Sequence, residues 1–389
     1  MKLIFLEWDS YGNDDILDAY QILEYTVIKF PLDTTKCRQN AIFEQSFEIC
    51  IEEHMPDYVF SFNYYPVVSL VCNKTNIPYI SWVYDSPYIL LYSYTTINPC
   101  NRIFIFDREL YMEFHLAGIN TVHYLPMAAN TMRLRKTPPS PLSNDIIQLL
   151  PKSDISFIGS MYTEEHQFYE RLEGITDYTR GYLEALMNAQ QQVYGCNFIQ
   201  ESLTPKIIDD IYRILPMNPN TDGVESREYF YAQYVINRKI TAIERQTMLG
   251  AIGAQYPVDV YTTDQNLNLQ GVTRHNPIDY YLHFPAIVQN SKINLNITLR
   301  SIKSGIPLRA FDIMGAGGFL LTNYQADFLS HFVPNEDFVY FESKQDLLDK
   351  ISYYLMHEKE RLAIAQNGYT KVKYNHTYIH RILEFETVL

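Results

Sequence analysis

Cysteine is scarce and scattered along these 389 residues. Cys37, Cys50, Cys72, Cys100 and Cys196 are odd in number, and none stands in a C-x-x-C pair. That spacing argues against a zinc site or a disulfide framework and for free thiols in a reducing cytoplasm. No apolar run approaches eighteen residues, so no membrane span is expected. The opening Met1–Glu7 is too short in its apolar run for a signal peptide and reads as a first strand. Net positive charge is also missing. Lys and Arg number 31 against 45 Asp and Glu, a formal charge of −14, which disfavours nucleic acid or an anionic membrane as partner. The ten histidines come without clustered acids, which leaves a zinc enzyme unsupported. Neither G-x-G-x-x-G nor G-x-x-x-x-G-K-[ST] occurs, which lowers dehydrogenase and P-loop readings.

What is present describes a globular chain long enough for two ordinary domains, 47% hydrophobic and 20% charged. The 33 tyrosines are unusual; aromatic faces suit sugar rings, although most serve packing. Strands are expected at Leu3–Leu6, Tyr58–Phe62, Pro78–Tyr84, Arg102–Phe106 and Val122–Leu125. Helices alternate with them over short connections, which implies a parallel α/β sheet. Ligands meet the carboxyl ends of such strands, and this selects Asn63, Asp85 and Asp107. Asp85, flanked by Trp82 and Tyr84, is the candidate general base, its pKa raised by partial burial. It equally suits capping of the Ser86-Pro87 turn. For Asp107, an N-cap role suffices.

Thr137-Pro138-Pro139-Ser140-Pro141 marks a linker, set at 137–152. The first domain is thus 1–136 and the second 153–370. Asp154–Ser160 reads as the opening strand of the second, and Gly159-Ser160 would let backbone approach a ligand closely. From about 164 to 253 the pattern turns helical, more than one crossover requires, and reads as a helical insertion. Strands at Pro257–Thr263 and Lys292–Ile297 follow, with a helix at Pro277–Gln289 between them. Thr262 is placed to meet a nucleobase, and Asn296 lies at a strand end.

The stretch Ser304–Thr322 carries the most chemistry. Gly305 and Pro307 punctuate a loop, and Pro307 suits the first position of a short helix. Gly315, Gly317 and Gly318 end that helix before a buried strand at Phe319–Leu321. A helix start behind a loop presents free N–H groups to an anion, here flanked by Lys303 and Arg309. Asp312 follows one turn in, placed to accept from ribose hydroxyls.

This stretch resembles the donor-nucleotide motif of GT-B glycosyltransferases, and its wording is similar to that of the CgeB-like, spore-maturation-type branch. Ser81–Pro87, within about Asp57–Asn130, resembles the amino-terminal domain that accompanies that branch. The resemblance implies an α/β fold of two Rossmann-like domains facing a cleft (GT-B type), with 371–389 crossing back to the first domain. Asp312 matches the second of the family's two acids, whereas Ser304 stands where the first would be. The implied activity is transfer of a sugar from a nucleotide-diphosphate sugar, by family habit UDP-linked, to a hydroxyl of a glycan, protein or cell-surface acceptor. In this reading the diphosphate sits on Ile306, Leu308 and Arg309 with help from Lys303 and Arg300. Asp312 holds the ribose, Gly159-Ser160 gives backbone approach, and Asp85 deprotonates the acceptor. The absence of D-x-D fits a site that needs neither metal nor cofactor and neutralises the diphosphate with basic side chains. The alternatives are a sugar-nucleotide epimerase on the same fold and a non-catalytic nucleotide-sugar or glycan binding module.

Overall fold

The computed structural model describes residues 1–135, 150–163 and 167–389. The proline run Thr137–Pro141 lies outside them. The chain divides into two compact units. The first comprises Met1–Asn130, Pro219–Ser226 and His376–Leu389; the second comprises Thr131–Asn218 and Arg227–Asn375.

The first unit is a parallel sheet of β1 (Lys2–Glu7), β2 (Thr26–Pro31), β3 (Tyr58–Phe62), β4 (Tyr79–Val83), β5 (Asn101–Ile105) and β6 (Val122–Tyr124). Its order is β2-β1-β3-β4-β5-β6. The central strands Tyr-Val-Phe-Ser-Phe and Tyr-Ile-Ser-Trp-Val are buried at every residue, as a sheet covered on both faces requires. β2 escapes a sequence reading because it is an edge strand whose residues are only partly buried or exposed, so it carries no continuous apolar run. The helix Tyr378–Glu386 belongs to this unit, where Phe385 packs against Phe60, Trp82 and Phe104.

The segment Pro219–Ser226, assigned by sequence to the helical insertion, is instead part of the first unit. Gly223 bridges Ser93 in antiparallel fashion, Tyr94 donates to the Asp222 carbonyl at 2.8 Å, and Val224 donates to that of Tyr92 at 2.8 Å. Arg38 grips the segment by ion pairs to Asp222 (2.8 Å) and to the buried Glu225 (3.3 Å). Nothing in residues 219–226 is apolar enough to announce this docking; backbone pairing with residues 92–94 and the distant Arg38 hold it.

The second unit repeats the architecture with β7 (Ile155–Ile158), β8 (Val258–Tyr261), β9 (Val272–His275), β10 (Ile293–Asn296), β11 (Leu320–Asn323) and β12 (Val339–Phe341). These strands are parallel in the order β12-β11-β10-β7-β8-β9. The chain leaves β7 toward β8 on one side, and β10 pairs with β7 on the other. That reversal makes the carboxyl ends of β7 and β10 the switch point of this sheet. The polar strand β9 is again an edge, and it too lacks an apolar run. The expected helix Pro277–Gln289 is shorter, Phe284–Asn290, because residues 277–283 form turns around the Asp279 side chain, which accepts from Tyr281 and Leu282. The helical segment builds its own core from Leu183, Ile207, Ile211, Tyr231 and Ile240. Its early stretch is a 3₁₀ turn at Tyr169–Leu172, and Tyr231–Ile236 is a π-helix running into the helix Asn237–Gly253.

Between β8 and β9, Asp259 accepts from Ser153 N at 2.6 Å and pairs with His275 Nε2 at 2.5 Å. Burial alone would raise its pKa, but these hydrogen bonds outweigh burial and hold the carboxyl below the usual range. The stability it contributes is present above the unfolded carboxylate pKa of about 3.9 and is lost as pH falls through the lower folded value. The advantage of wild type over Asp259→Asn in urea midpoint should therefore shrink as pH is lowered from 5 toward 2; a constant difference would contradict it. In the first unit, Arg38→Met should cost on the order of 3 kcal/mol of local opening free energy, read as lost hydrogen-exchange protection at the Tyr94 and Val224 amides.

Candidate functional site

The helix Leu308–Gly315 begins after Pro307, which sits at the N-cap position, not the first helical position expected, and no side chain caps it. Ala310 N turns back to the Pro307 carbonyl, leaving the Leu308 and Arg309 amides at an open tip. The other end closes through Gly317, whose φ of +78° only glycine adopts readily; Gly317 N bonds Met314 and Gly318 N bonds Ile313. The helix therefore stops in time for β11, which pairs with β10.

Arg309 reaches from that tip to the switch point. Its Nη1 donates to Asn296 Oδ1 at 3.1 Å, and its guanidinium lies 5.4 Å from the centre of the Phe157 ring. Asn296, fully buried at the end of β10, is oriented by donating to Thr298 (3.0 Å) and Thr322 (2.9 Å). At the end of β7, Gly159 has φ +155°, and a Cβ there would meet Arg309 Nη2 at 2.5 Å. A glycine is required for the two to approach. Burial first, and then the neighbouring Arg245, push the Arg309 pKa down to about 10, against the opposing pull of Tyr162 and Asp312. Arg309 therefore stays a cation at neutral pH. No ion pair holds Arg309 among the described residues.

Arg245 was not foreseen. It projects from the helix Asn237–Gly253 and ties both strand ends together. Nε and Nη2 donate to the Ile297 carbonyl, at 3.1 and 2.5 Å, and Nη1 donates to that of Ser160. It also lies over Phe157 (5.2 Å) and Tyr162 (4.8 Å). Ser160 Oγ accepts from Tyr162 N at 3.0 Å, and Tyr162 holds a left-handed φ of 56°. Such a backbone angle in a non-glycine persists only where its surroundings enforce it. The signal available was the spacing of Arg238 and Arg245, seven apart and so on one helical face.

Other expected residues stand elsewhere. Arg300 is consumed: it pairs with buried Glu244 through Nε (2.8 Å) and Nη2, and donates from Nη1 to the Val193 carbonyl (2.8 Å). These contacts occupy three of its five N–H groups within the protein. Thr262 is buried, and its hydroxyl accepts from Asp264 N at 3.3 Å, so it caps a turn and does not present to a base. Ile306 is buried and Leu308 half-buried, so only backbone is available there. Lys303 lines a small polar recess with Gly195, Asn197, Arg300 and Gln325. Asp312 is buried, and its Oδ2 accepts from Tyr280 OH at 3.0 Å, in a loop where Arg133 lies 4.8 Å from the Tyr280 ring. Among the described residues no group of three His, Cys, Asp or Glu could hold a metal ion, and no helix is long and apolar enough to cross a membrane.

In the first unit, Asp85 is exposed, so the partial burial expected of it is absent. It is nonetheless held: Asn63, buried with φ 58°, donates to Asp85 Oδ2 at 2.7 Å and accepts from the Tyr84 and Asp85 amides. Trp8 stacks on Tyr84 beside it (6.3 Å) and donates to the Phe62 carbonyl (3.1 Å). Asp107 caps the helix Arg108–Leu116 by accepting from Leu110 N.

Residues 238–387 match the model of a family described as glycosyl transferase-like. No curated protein matches the chain. Among solved structures it is similar to Anabaena HepE in complex with UDP-glucose, at 11% identity and a TM-score of 0.55 over 100% of both chains. It is similar to a sucrose-phosphate synthase from Thermosynechococcus elongatus at 10% identity and 0.54, covering 100% of this chain and 98% of that one. A glycosyltransferase from Rickettsia africae follows at 11% and 0.51, over 99% and 97%. The fold is of the GT-B type. Identity this low shows the fold alone.

The Arg300–Glu244 pair yields a stability prediction. Burial raises the Glu244 pKa, with Arg300 opposing it. Glu244→Ala should destabilise the second unit by about 3–5 kcal/mol in urea denaturation, because the buried guanidinium loses its counter-charge. A change below about 1 kcal/mol would return Arg300 to candidacy for ligand binding.

Proposed function

We propose that this GT-B-type chain is a glycosyltransferase that takes its donor as a nucleoside-diphosphate sugar, UDP-linked, and delivers the sugar to a hydroxyl acceptor. The observation that carries this is the Arg309 guanidinium at an uncapped helix tip, across from Gly159 at the sheet's switch point. A cation, two outward amides and a backbone without a Cβ form a receptor for a diphosphate. The glycosyl transferase-like match over 238–387 covers this helix, and HepE, similar in fold, has been seen with UDP-glucose.

In this reading, departure of the diphosphate is the step the site assists. Charge develops on the leaving oxygen as the glycosidic bond breaks, and Arg309 with the tip amides stabilises it more in the transition state than before. These groups supply the neutralisation a divalent ion would otherwise provide, so we assign a metal-independent site with no cofactor. Asp312 is assigned to the ribose hydroxyls, in competition with Tyr280 OH. Asp85 is assigned to the acceptor proton, oriented by Asn63 at its exposed position. The CgeB-like branch, the hexosyl group, a glycan or protein acceptor and a cytoplasmic setting complete the proposal.

The binding-only alternative draws on Ser304, buried where the family has an acid. Turnover decides between them. Wild type should release UDP from a UDP-sugar with an acceptor panel and form a glycan product. Arg309→Ala should lower kcat/KM on the order of 100-fold or more, about 3 kcal/mol. Binding of UDP with no product across the panel would favour the module, and wild-type turnover in Arg309→Ala would remove Arg309 from its role.

A further inference from the structure

The Asp312 carboxylate takes a donor that does not come from its own helix. It stands one turn inside the helix tip and is 1% exposed, yet its Oδ2 accepts from the Tyr280 hydroxyl at 3.0 Å. Tyr280 belongs to the segment between β9 and the helix Phe284–Asn290, where Leu282 is 67% exposed. A surface loop thus delivers a phenol to a buried carboxylate.

That loop is folded on itself. The Asp279 carboxylate accepts from Tyr281 N at 2.8 Å and from Leu282 N at 2.7 Å. The Asp279 carbonyl accepts from His283 N (3.0 Å) and Phe284 N (3.3 Å), and the Asp279 amide donates to His283 Nδ1 at 3.2 Å. These bonds stay within residues 279–284, and the pairing of β9 ends at His275. The turn can therefore swing as a unit and keep both its own bonds and the sheet's. Arg133 fastens it from outside. The guanidinium lies 4.8 Å from the Tyr280 ring and 5.0 Å from the Tyr281 ring, and Nη1 donates to the Tyr280 carbonyl at 3.5 Å. Contacts of this kind at half-exposed rings are weak one by one, so the loop is fastened at a strength that a ligand can overcome.

A phenol O–H and a ribose O–H are the same kind of donor to a carboxylate. Leaving a buried carboxylate without a donor is costly, so Asp312 is occupied in the free protein and must be occupied again in a complex. A ribose hydroxyl gains this carboxylate by taking the place of the phenol.

We propose that Tyr280 is an autoinhibitory latch on the ribose side of the donor site: it occupies Asp312 in the free protein and yields to the ribose hydroxyls of an incoming nucleoside diphosphate. The proposal rests on the donor reading above, which assigns Asp312 to the ribose. It adds a closed resting state that every donor must open, which lowers apparent affinity by the fraction of molecules that are open. Arg133 is a positioning residue that acts through the loop. One hydrogen bond is exchanged for another, and no covalent bond changes.

Calorimetric and stopped-flow titration of the full chain with UDP and with inorganic pyrophosphate tests this. Tyr280→Phe keeps the ring and removes the hydroxyl; it should bind UDP roughly tenfold more tightly than wild type, through faster association with dissociation unchanged. Pyrophosphate, which has no ribose, should bind both proteins alike. Arg133→Ala should shift UDP binding in the same direction to a smaller extent. In an Asp312→Ala background, Tyr280→Phe should add nothing, because the contact it removes is already gone. Melting temperatures compared with wild type show whether the fold is kept; should Tyr280→Phe unfold, Arg133→Ala carries the comparison. UDP binding by Tyr280→Phe equal to wild type overturns the latch. Weaker binding overturns it as well, by making Tyr280 a support for Asp312, and the donor reading survives both results. Failure of wild type and Tyr280→Phe alike to bind UDP or pyrophosphate overturns the donor reading and the latch with it.

Discussion

The second unit depends on a close approach between backbone and cation. Gly159 lies where any Cβ would strike Arg309, and Arg309 stays there only because Asn296 accepts from it and Phe157 lies beneath it. Each of these three residues stands at the carboxyl end of a strand flanking the topological reversal, or one residue past it. Strand order, helix start and side-chain cation therefore converge on one point. The reversal is a consequence of chain path: parallel strands need crossovers, and the crossover from β7 runs to one side while β10 returns on the other.

Backbone carbonyls meet arginine donors at that point. Arg245, buried in the unit, satisfies its donors with carbonyls from both strand ends. Arg300 shows the contrary solution. Paired with Glu244 and covered by Tyr194, it is electrically silent and serves packing. The two arginines differ in what faces them, although both come from polar stretches of similar character.

The first unit shows how little local sequence need announce a contact. Residues 219–226 join it through one antiparallel bridge and the Arg38 ion pairs, an interaction spanning more than 180 positions. Asp85, selected for its place at a strand end, is exposed there and accepts from Asn63, so the expected partial burial is missing. Flanking residues in a strand alternate between faces, so Trp82 and Tyr84 say nothing about the burial of a carboxylate in the loop beyond them.

Sequence alone determined the parallel α/β character of the units, because strands buried on two faces are largely apolar: Tyr58–Phe62 and Tyr79–Val83 announce themselves. It also determined the glycine-terminated helix carrying Arg309 and Asp312, since helix stops and left-handed turns depend on local chemistry. Edge strands β2 and β9 were lost because exposure removes the apolar signal. Only tertiary structure could decide that Arg300 pairs with Glu244, that Thr262 faces inward, that Tyr280 reaches Asp312, and that Arg245 reaches the ends of β7 and β10 from a helix that lies far along the chain from Gly159. A hydrogen bond spends a donor once, and which acceptor receives it is settled by three-dimensional neighbours that spacing along the chain does not encode.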